Sequence, residues 1–490
     1  MKVVIVGGGS SGWMAASLLS RLMGNQLQIT LIESDQIQTV GVGEATIPAI
    51  QHFNRVLGID ERTFLSKTKG SIKLGINFNG WFNADESYMH AFGAIGKDMG
   101  LAGFHHTWLK ARSLGETKNL WDYSLNFQAS KQNKYTTLPT IPNTKMSGLV
   151  HAYHLDAGLY AAHLRQLSEA SGVKRIEGKV NHVKLEPASG FIESLQLESG
   201  EVISGDLFID CSGFRALLIE GALKTGYEDW RHWLPCDRAI AAGSDRLSPL
   251  PPYTSSTAHE AGWQWQIPLQ HRTGNGSVYC SDFMDDDTAL NNLLNNINSE
   301  PLNEPKVIRF ITGRRQKQWY KNCVSLGLSS GFIEPLESTS LHLVQAGLVR
   351  LVKFFPHKRI NAVDVDEYNK QSKIEFERIR DFIILHYYLN NRNGAFWERC
   401  RHMDIPDSLA SKIALFKESG RVFREQDELF TEIAWIQVML GQGIVPRQFH
   451  PLADSLSDAQ RSDLLTSLKQ LIDGTVNQLP THESFLQTMV

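Results

Sequence analysis

The first twelve residues constrain this chain most. Lys2–Val6 reads KVVIV, a short β-branched run of the kind that forms a buried parallel strand. It passes directly into Gly7-Gly8-Gly9-Ser10-Ser11-Gly12, which fits G-x-G-x-x-G at Gly7, Gly9 and Gly12, and Trp13–Met23 then has a helical pattern. In such a turn Gly7 permits the tight bend and Gly9 lets a pyrophosphate approach the backbone. Gly12 lets helix and strand pack closely, and the helix N-terminus faces the phosphates. A second strand, Gln28–Ile32, ends at Glu33, about 20 residues beyond the glycines, where a carboxylate binds ribose hydroxyls. A glycine triplet alone is a common turn. Strand, triplet, helix, strand and acid in that order point to a dinucleotide. An acid at this place, rather than arginine, argues for an adenosine ribose without a 2′-phosphate, and so for FAD or NAD.

A chain of 490 residues buries a large core, expected as two or three intimately packed subdomains. The net charge of −3 gives no basic surface for nucleic acid or an anionic membrane. No apolar run is long enough to span a bilayer, and the nucleotide strand leaves no room for a signal peptide ahead of it. The five cysteines are scattered and form no C-x-x-C, as expected of reduced thiols in a cytoplasmic protein. His105-His106 and His151-x-x-His154 have no nearby cysteine or acid to complete a ligand set, so no metal site is expected and these histidines read as structural.

Further along, Val40–Ile50 (VGVGEATIPAI) carries Gly41 and Gly43 ahead of Pro48, a loop able to lie across a cofactor or simply to connect. Ile72, Leu74, Ile76 and Phe78 alternate with Lys73, Gly75 and Asn77, the period of one strand, on which Lys73 is by default a solvated lysine. His90 and Phe92 stand at i and i+2, facing one side of an extended segment as pocket wall or as core. Leu155–Gln166 reads as a helix capped by Asp156. Lys174–Gly213 alternates like a β-meander and ends in DLFIDCSG, where Ser212 and Gly213 offer a second close approach to a dinucleotide. Trp263 and Trp265 share one face of the strand Trp263–Pro268, where core packing is the ordinary role. Arg272–Gly276 is expected to turn and Ser277–Ser281 to return as a strand. In Asn322–Leu343, Gly327 and Gly331 allow backbone approach, and Glu337-Ser338-Thr339-Ser340 precedes the helix Leu341–Val352. That hydroxyl run is capping chemistry, and equally a nest of N–H groups for an anion. From Val363 onward the pattern is mainly helical.

Together these stretches resemble the flavin-dependent halogenases, the family that includes the tryptophan halogenases. Four motifs carry the resemblance: the N-terminal glycines, GVGEATIP at Gly41–Pro48, Trp263-x-Trp265-x-Ile267-Pro268, and EPLEST at Glu334–Thr339. It implies an α/β fold: an FAD-binding Rossmann-like domain of the GR2-type flavoprotein monooxygenase kind, with an inserted β-sheet substrate region and a C-terminal helical subdomain. Residues 1–360 are expected to hold the FAD, halide and catalytic regions, and residues 361–490 to form the helical subdomain. FAD contacts are expected at Gly7, Gly9, Gly12, Glu33, Gly43, Ala45, Ser212, Gly213, Gly327 and Gly331. The family's catalytic lysine and glutamate fall on Lys73 and Glu337, and its halide site on Thr339 and Ser340, the latter a glycine in many tryptophan halogenases. Its substrate pocket falls on His90, Phe92, Trp263, Trp265 and, in the late segment, Trp435.

The implied chemistry uses reduced FAD, O2 and halide to make hypohalous acid, which the lysine directs to an electron-rich ring such as an indole, with bromide favoured over chloride. No second glycine fingerprint for NAD(P)H is present, so a separate flavin reductase is expected to supply reduced FAD. A homodimer is a family-level expectation. The rival on the same fold is a single-component aromatic hydroxylase that reduces its own flavin; Lys73, the tryptophan pair and EPLEST separate the two readings.

Overall fold

The computed structural model describes residues 1–37 and 43–489, so Gly41 lies outside the described residues. The chain divides into two compact units interleaved in sequence: Met1–Gly70, Leu155–Arg238 and Ile308–Glu377 form one, and Ser71–His154, Ala239–Val307 and Arg378–Val490 the other. Of the expected helical subdomain, residues 361–377 thus belong to the first unit and residues 378–490 to the second.

The first unit is built on a six-stranded sheet in the order Trp319–Tyr320, Cys323–Ser325, Leu207–Asp210, Lys2–Val6, Gln28–Glu33, Lys174–Glu177. All neighbours are parallel except the first pair, with Val3 in register with both Leu207 and Ile29. Val3, Val4, Ile5 and Leu207–Ile209 are almost wholly buried, as the apolar runs predict for strands covered on both faces. The helices Ser10–Met23 and Ala157–Ala170 pack together: Ser17 Oγ donates to the Leu164 carbonyl at 3.1 Å, and Ala15 and Ala16 are fully buried. Asp156 caps the second helix, accepting from the Gly158 and Leu159 amides at 3.0 and 3.1 Å. An antiparallel meander, Val180–Leu185, Ile192–Leu197 and Val202–Ser204, brings Ile192, Leu195 and Leu197 into one apolar cluster with Val4, Val6 and Phe208.

In the second unit Gly262–Pro268 pairs antiparallel with Thr254–His259 and with Thr273–Tyr279. Thr254–His259 runs parallel to Gly75–Asn79, which pairs antiparallel with Ser87–Ala91. Two expectations are corrected here. The alternation from Ile72 to Phe78 is not one strand but two, Ser71–Lys73 and Gly75–Asn79, in different sheets. The break is at Leu74, whose N–H goes to the Pro252 carbonyl at 2.7 Å while its own carbonyl accepts from the Phe92 N–H at 2.8 Å. The expected turn at Arg272–Gly276 is mostly strand: the bend is tighter, with the Leu269 N–H on the Arg272 carbonyl at 2.9 Å. Gly276 stands opposite Trp265 rather than in a turn, and a Cβ there would lie 2.0 Å from the Trp265 ring. The glycine makes room for the indole. Among the described residues no helix is long and apolar enough to cross a membrane.

Candidate active site

At the nucleotide end of the first unit, the Gly7 N–H donates to the Ile32 carbonyl at 2.9 Å, and the φ of +111° together with a Cβ position 2.1 Å from the Cys211 carbonyl oxygen excludes any side chain. A Cβ on Gly12 would lie 1.8 Å from the Gly7 carbonyl oxygen, so this glycine sets how close helix and strand come. Gly9 is different. Its φ of −73° suits any residue, and a Cβ there would meet nothing within 4 Å among the described residues. Nothing among the described residues requires glycine at this position, and they leave the bare backbone at the helix N-terminus open.

Glu33 closes the second strand against Gly8. One carboxylate oxygen pairs with Arg175 at 2.6 Å, and the other accepts from the Trp13 indole N–H at 3.4 Å. The loop with Ser212 and Gly213 is held by Asp210, which sequence reasoning missed. Asp210 is fully buried and accepts from the Ser212 amide and hydroxyl at 3.0 and 2.6 Å, and from the Leu218 and Ile219 amides at 2.8 and 2.9 Å. Its only sequence signal is that it ends a buried strand ahead of Cys-Ser-Gly. A Cβ on Gly213, like that on Gly9, would meet none of the described residues within 4 Å. Gly327 backs onto Ser11, Gly331 pairs with Arg314, and Gly43 and Ala45 flank Glu44, whose carboxyl is pushed up to about 7 by burial.

The EPLEST stretch forms a tight turn at Pro335–Glu337 followed by Ser338 in the left-handed region, φ +59°, and then the helix Ser340–Lys353. Glu337 is 1% exposed and Ser340 half-buried. Thr339, at the N-cap, is fully buried, and its hydroxyl has no hydrogen-bond partner among the described residues. Such a hydroxyl costs about 1–3 kcal/mol unless something satisfies it, and here it lies where helix N–H groups favour an anion.

In the second unit Lys73 is fully buried, contrary to the default of a solvated lysine. Ser71–Lys73 pairs antiparallel with Ala152–Leu155, placing small Ala152 opposite Lys73 and His154 opposite Ser71 on the same face. The Lys73 Nζ lies 5.4 Å from the Phe92 ring centroid. His90 meets Phe92 at 6.2 Å, Phe382 at 5.7 Å and Phe430 at 6.2 Å between ring centroids, and Phe382 and Phe430 stack at 3.8 Å. Sequence reasoning singled out neither Phe382 nor Phe430. Trp435 stands edge-on to Phe382 and is 1% exposed, its indole N–H donated to Glu428 at 2.9 Å. Trp263 is buried against Trp81 and Trp265, at 6.2 and 6.0 Å between centroids, so the pair does share one side of its strand. Among the described residues no group of three or more metal-ligating side chains could hold a metal ion.

Residues 2–458 match the family described as tryptophan halogenase. The chain belongs to this family. It is 33% identical to the tryptophan 7-halogenase RebH of Lentzea aerocolonigenes, over 99% of this chain and 98% of that protein. Its fold is similar to that of Xcc4156, a flavin-dependent halogenase from Xanthomonas campestris, at a TM-score of 0.96 and 49% identity, covering 100% of this chain and 98% of the other. It is similar also to BrvH, a flavin-dependent halogenase from Brevundimonas sp. BAL3, at 0.95 and 43%, covering 100% and 99%. The protein is a flavin-dependent halogenase with the expected Rossmann-like α/β fold, and a single-component hydroxylase is not favoured. The first unit fits the FAD that such an enzyme uses: the open backbone at Gly9 and Gly213 is the kind of cradle a dinucleotide fills.

Proposed function

We propose that this halogenase acts on an electron-rich ring such as an indole, with Lys73 as the group that carries the halogen to it. The observation behind this is the complete burial of Lys73 beside Phe92 and opposite Ala152, where an amine is shielded from bulk water. Bound FAD, reduced by a separate flavin reductase, would supply two electrons to O2 and halide the other two, so that O2 becomes hypohalous acid and water. Gly7, Gly9, Gly12, Glu33, Ser212, Gly213, Gly327 and Gly331, with Gly43 and Ala45 from the GEATIP stretch, hold it. Thr339 and Ser340 hold the halide through the helix N-terminus and the Thr339 hydroxyl. Bromide, less tightly hydrated and easier to oxidise than chloride, is the better substrate. Hypohalous acid released into water reacts indiscriminately; the Lys73 amine captures or hydrogen-bonds it and directs it to one ring carbon. Glu337 takes the ring proton or tunes Lys73. His90 and Phe92 offer stacking surface, and Trp263 and Trp265 keep the substrate from the flavin.

Lys73→Ala is expected to bind FAD and consume O2 as the parent does, while losing halogenated product in an assay with bromide, a flavin reductase, NADH and indole read by mass spectrometry. Product at the parent rate overturns the role. Arginine is expected not to rescue, because a guanidinium stays protonated and is no nucleophile.

A further inference from the structure

We infer that His482, in the last helix of the described chain, is a positioning residue for Lys73: it holds the backbone from which the amine projects. The inference rests on the reading of Lys73 as the halogen carrier. The strand Ser71–Lys73 has only three residues, too few to fix its own end. The Ile72 N–H, one residue before Lys73, donates to His482 Nε2 at 3.1 Å. Because Nε2 accepts, the ring proton sits on Nδ1, which donates to the Leu250 carbonyl at 3.1 Å. The imidazole is therefore neutral with one defined tautomer, and protonating Nε2 breaks the bond to Ile72.

The residue after Lys73 is pinned as well, with the Leu74 N–H on the Pro252 carbonyl. Ser71 completes the frame. Its hydroxyl donates to the Pro268 carbonyl at 2.6 Å and so accepts from His154 Nδ1 at 2.9 Å, leaving His154 Nε2 to accept from the Thr254 hydroxyl at 2.9 Å. Lys73 thus stands on a strand bracketed by two neutral, buried imidazoles.

His482 is itself anchored. Its N–H donates to the Asn133 carbonyl at 2.8 Å, the Tyr135 N–H donates to the Pro480 carbonyl at 3.1 Å, and Phe485 meets the Tyr135 ring edge-on at 4.7 Å. Glu483 pairs with Arg246. These ties join the end of the chain to the Lys73 strand, although some 400 residues separate them in sequence, and a misplacement of about 1 Å at a reacting group can cost about 10²-fold in rate.

The test compares His482→Leu, which fills the space but cannot accept, with His482→Gln, whose amide oxygen can reach where Nε2 stood. Three quantities are read: hypohalous acid released without indole, caught by a soluble β-diketone; brominated indole formed with indole present; and hydrogen exchange at the Ile72 amide. His482→Leu is expected to release hypohalous acid at the parent rate, lose Ile72 protection, and drop at least roughly tenfold in brominated indole per hypohalous acid. His482→Gln is expected to restore both protection and ratio. If His482→Leu fails to fold, His482→Gln decides alone: a ratio that tracks Ile72 protection supports the inference, and a ratio that does not overturns it. Lys73→Ala is run alongside. Full product from Lys73→Ala overturns the carrier reading and this inference with it; product lost in Lys73→Ala but kept in His482→Leu overturns this inference alone.

Discussion

Two side-chain positions separate what the fold needs from what the ligands need. Gly9 sits at the helix N-cap with an ordinary φ and open space where a Cβ would go, and aspartate is among the best N-cap residues. Gly9→Asp is therefore expected to leave the melting temperature of the flavin-free protein unchanged or raised. Its carboxylate would meet the pyrophosphate, and FAD affinity is expected to fall by at least roughly 100-fold, about 2.7 kcal/mol. Flavin fluorescence titration and a thermal melt read the two effects separately, and equal affinity with intact folding would remove Gly9 from the cofactor site. Thr339 allows the same separation. A buried hydroxyl without a partner among the described residues destabilises the chain that carries it, so the isosteric Thr339→Val should fold as well as the parent or better. If the hydroxyl serves the halide, the KM for bromide should rise severalfold; an unchanged KM would show that the hydroxyl takes no part in holding it.

At the scale of elements, the sequence is most readable where one pattern governs one element. The first strand stands where the apolar run puts it and the Asp156 cap forms as read, while the helix expected over Trp13–Met23 ends as read but starts at Ser10, inside the glycine triplet. Patterns shared between sheets mislead: the alternation from Ile72 to Phe78 is continuous, yet Leu74 gives its amide to Pro252, a partner no local pattern announces. Gly274 to Gly276 look like turn residues, and only the Trp265 ring across the sheet explains a glycine inside a strand. Asp210 and His482 were illegible for the same reason, since each acts through backbone amides distant in sequence.

The docking of the last helix also carries a pH dependence. Burial pushes the pKa of His482 down from the usual 6.5 to about 4, opposed by its bond to Leu250 and aided by Arg246. Between those values the unfolded chain binds a proton that the native protein does not. The contribution of His482 is therefore fully present above about pH 6.5 and is lost as the pH falls toward 4, on the order of 3 kcal/mol. Urea unfolding at pH 7 and pH 4.5 is expected to show this loss in the parent and a shallower one in His482→Gln; parallel losses in the two proteins would place the acid sensitivity elsewhere.

For the molecule as a whole, the family leaves open which ring is halogenated, and the late segment bears on that choice. Free tryptophan brings an ammonium and a carboxylate, and a pocket that takes them in must supply partners, because a charge removed from water without one is costly. In the tryptophan halogenases a tyrosine- and tryptophan-rich segment does much of that work. Here Glu428–Asp454 has no tyrosine and one tryptophan, Trp435, followed by apolar Val438, Met439, Leu440 and Ile444. The charged groups nearest it are engaged within the segment and its neighbours. The Trp435 N–H is on Glu428, Lys412 pairs with the same carboxylate at 2.9 Å and lies over the Trp435 ring, and exposed Arg447 pairs with Glu418. A buried carboxylate already neutralised by lysine is a poor partner for a substrate ammonium. Indole itself, or a larger molecule that presents an indole without a free amino-acid head, is therefore the expected substrate. The measurement is kcat/KM for indole, tryptophan and an indole-containing peptide under identical bromide and flavin supply. Indole or the peptide should lead, and a preference for tryptophan of roughly tenfold, about 1.4 kcal/mol in transition-state binding, would show that the amino-acid head finds partners outside this segment.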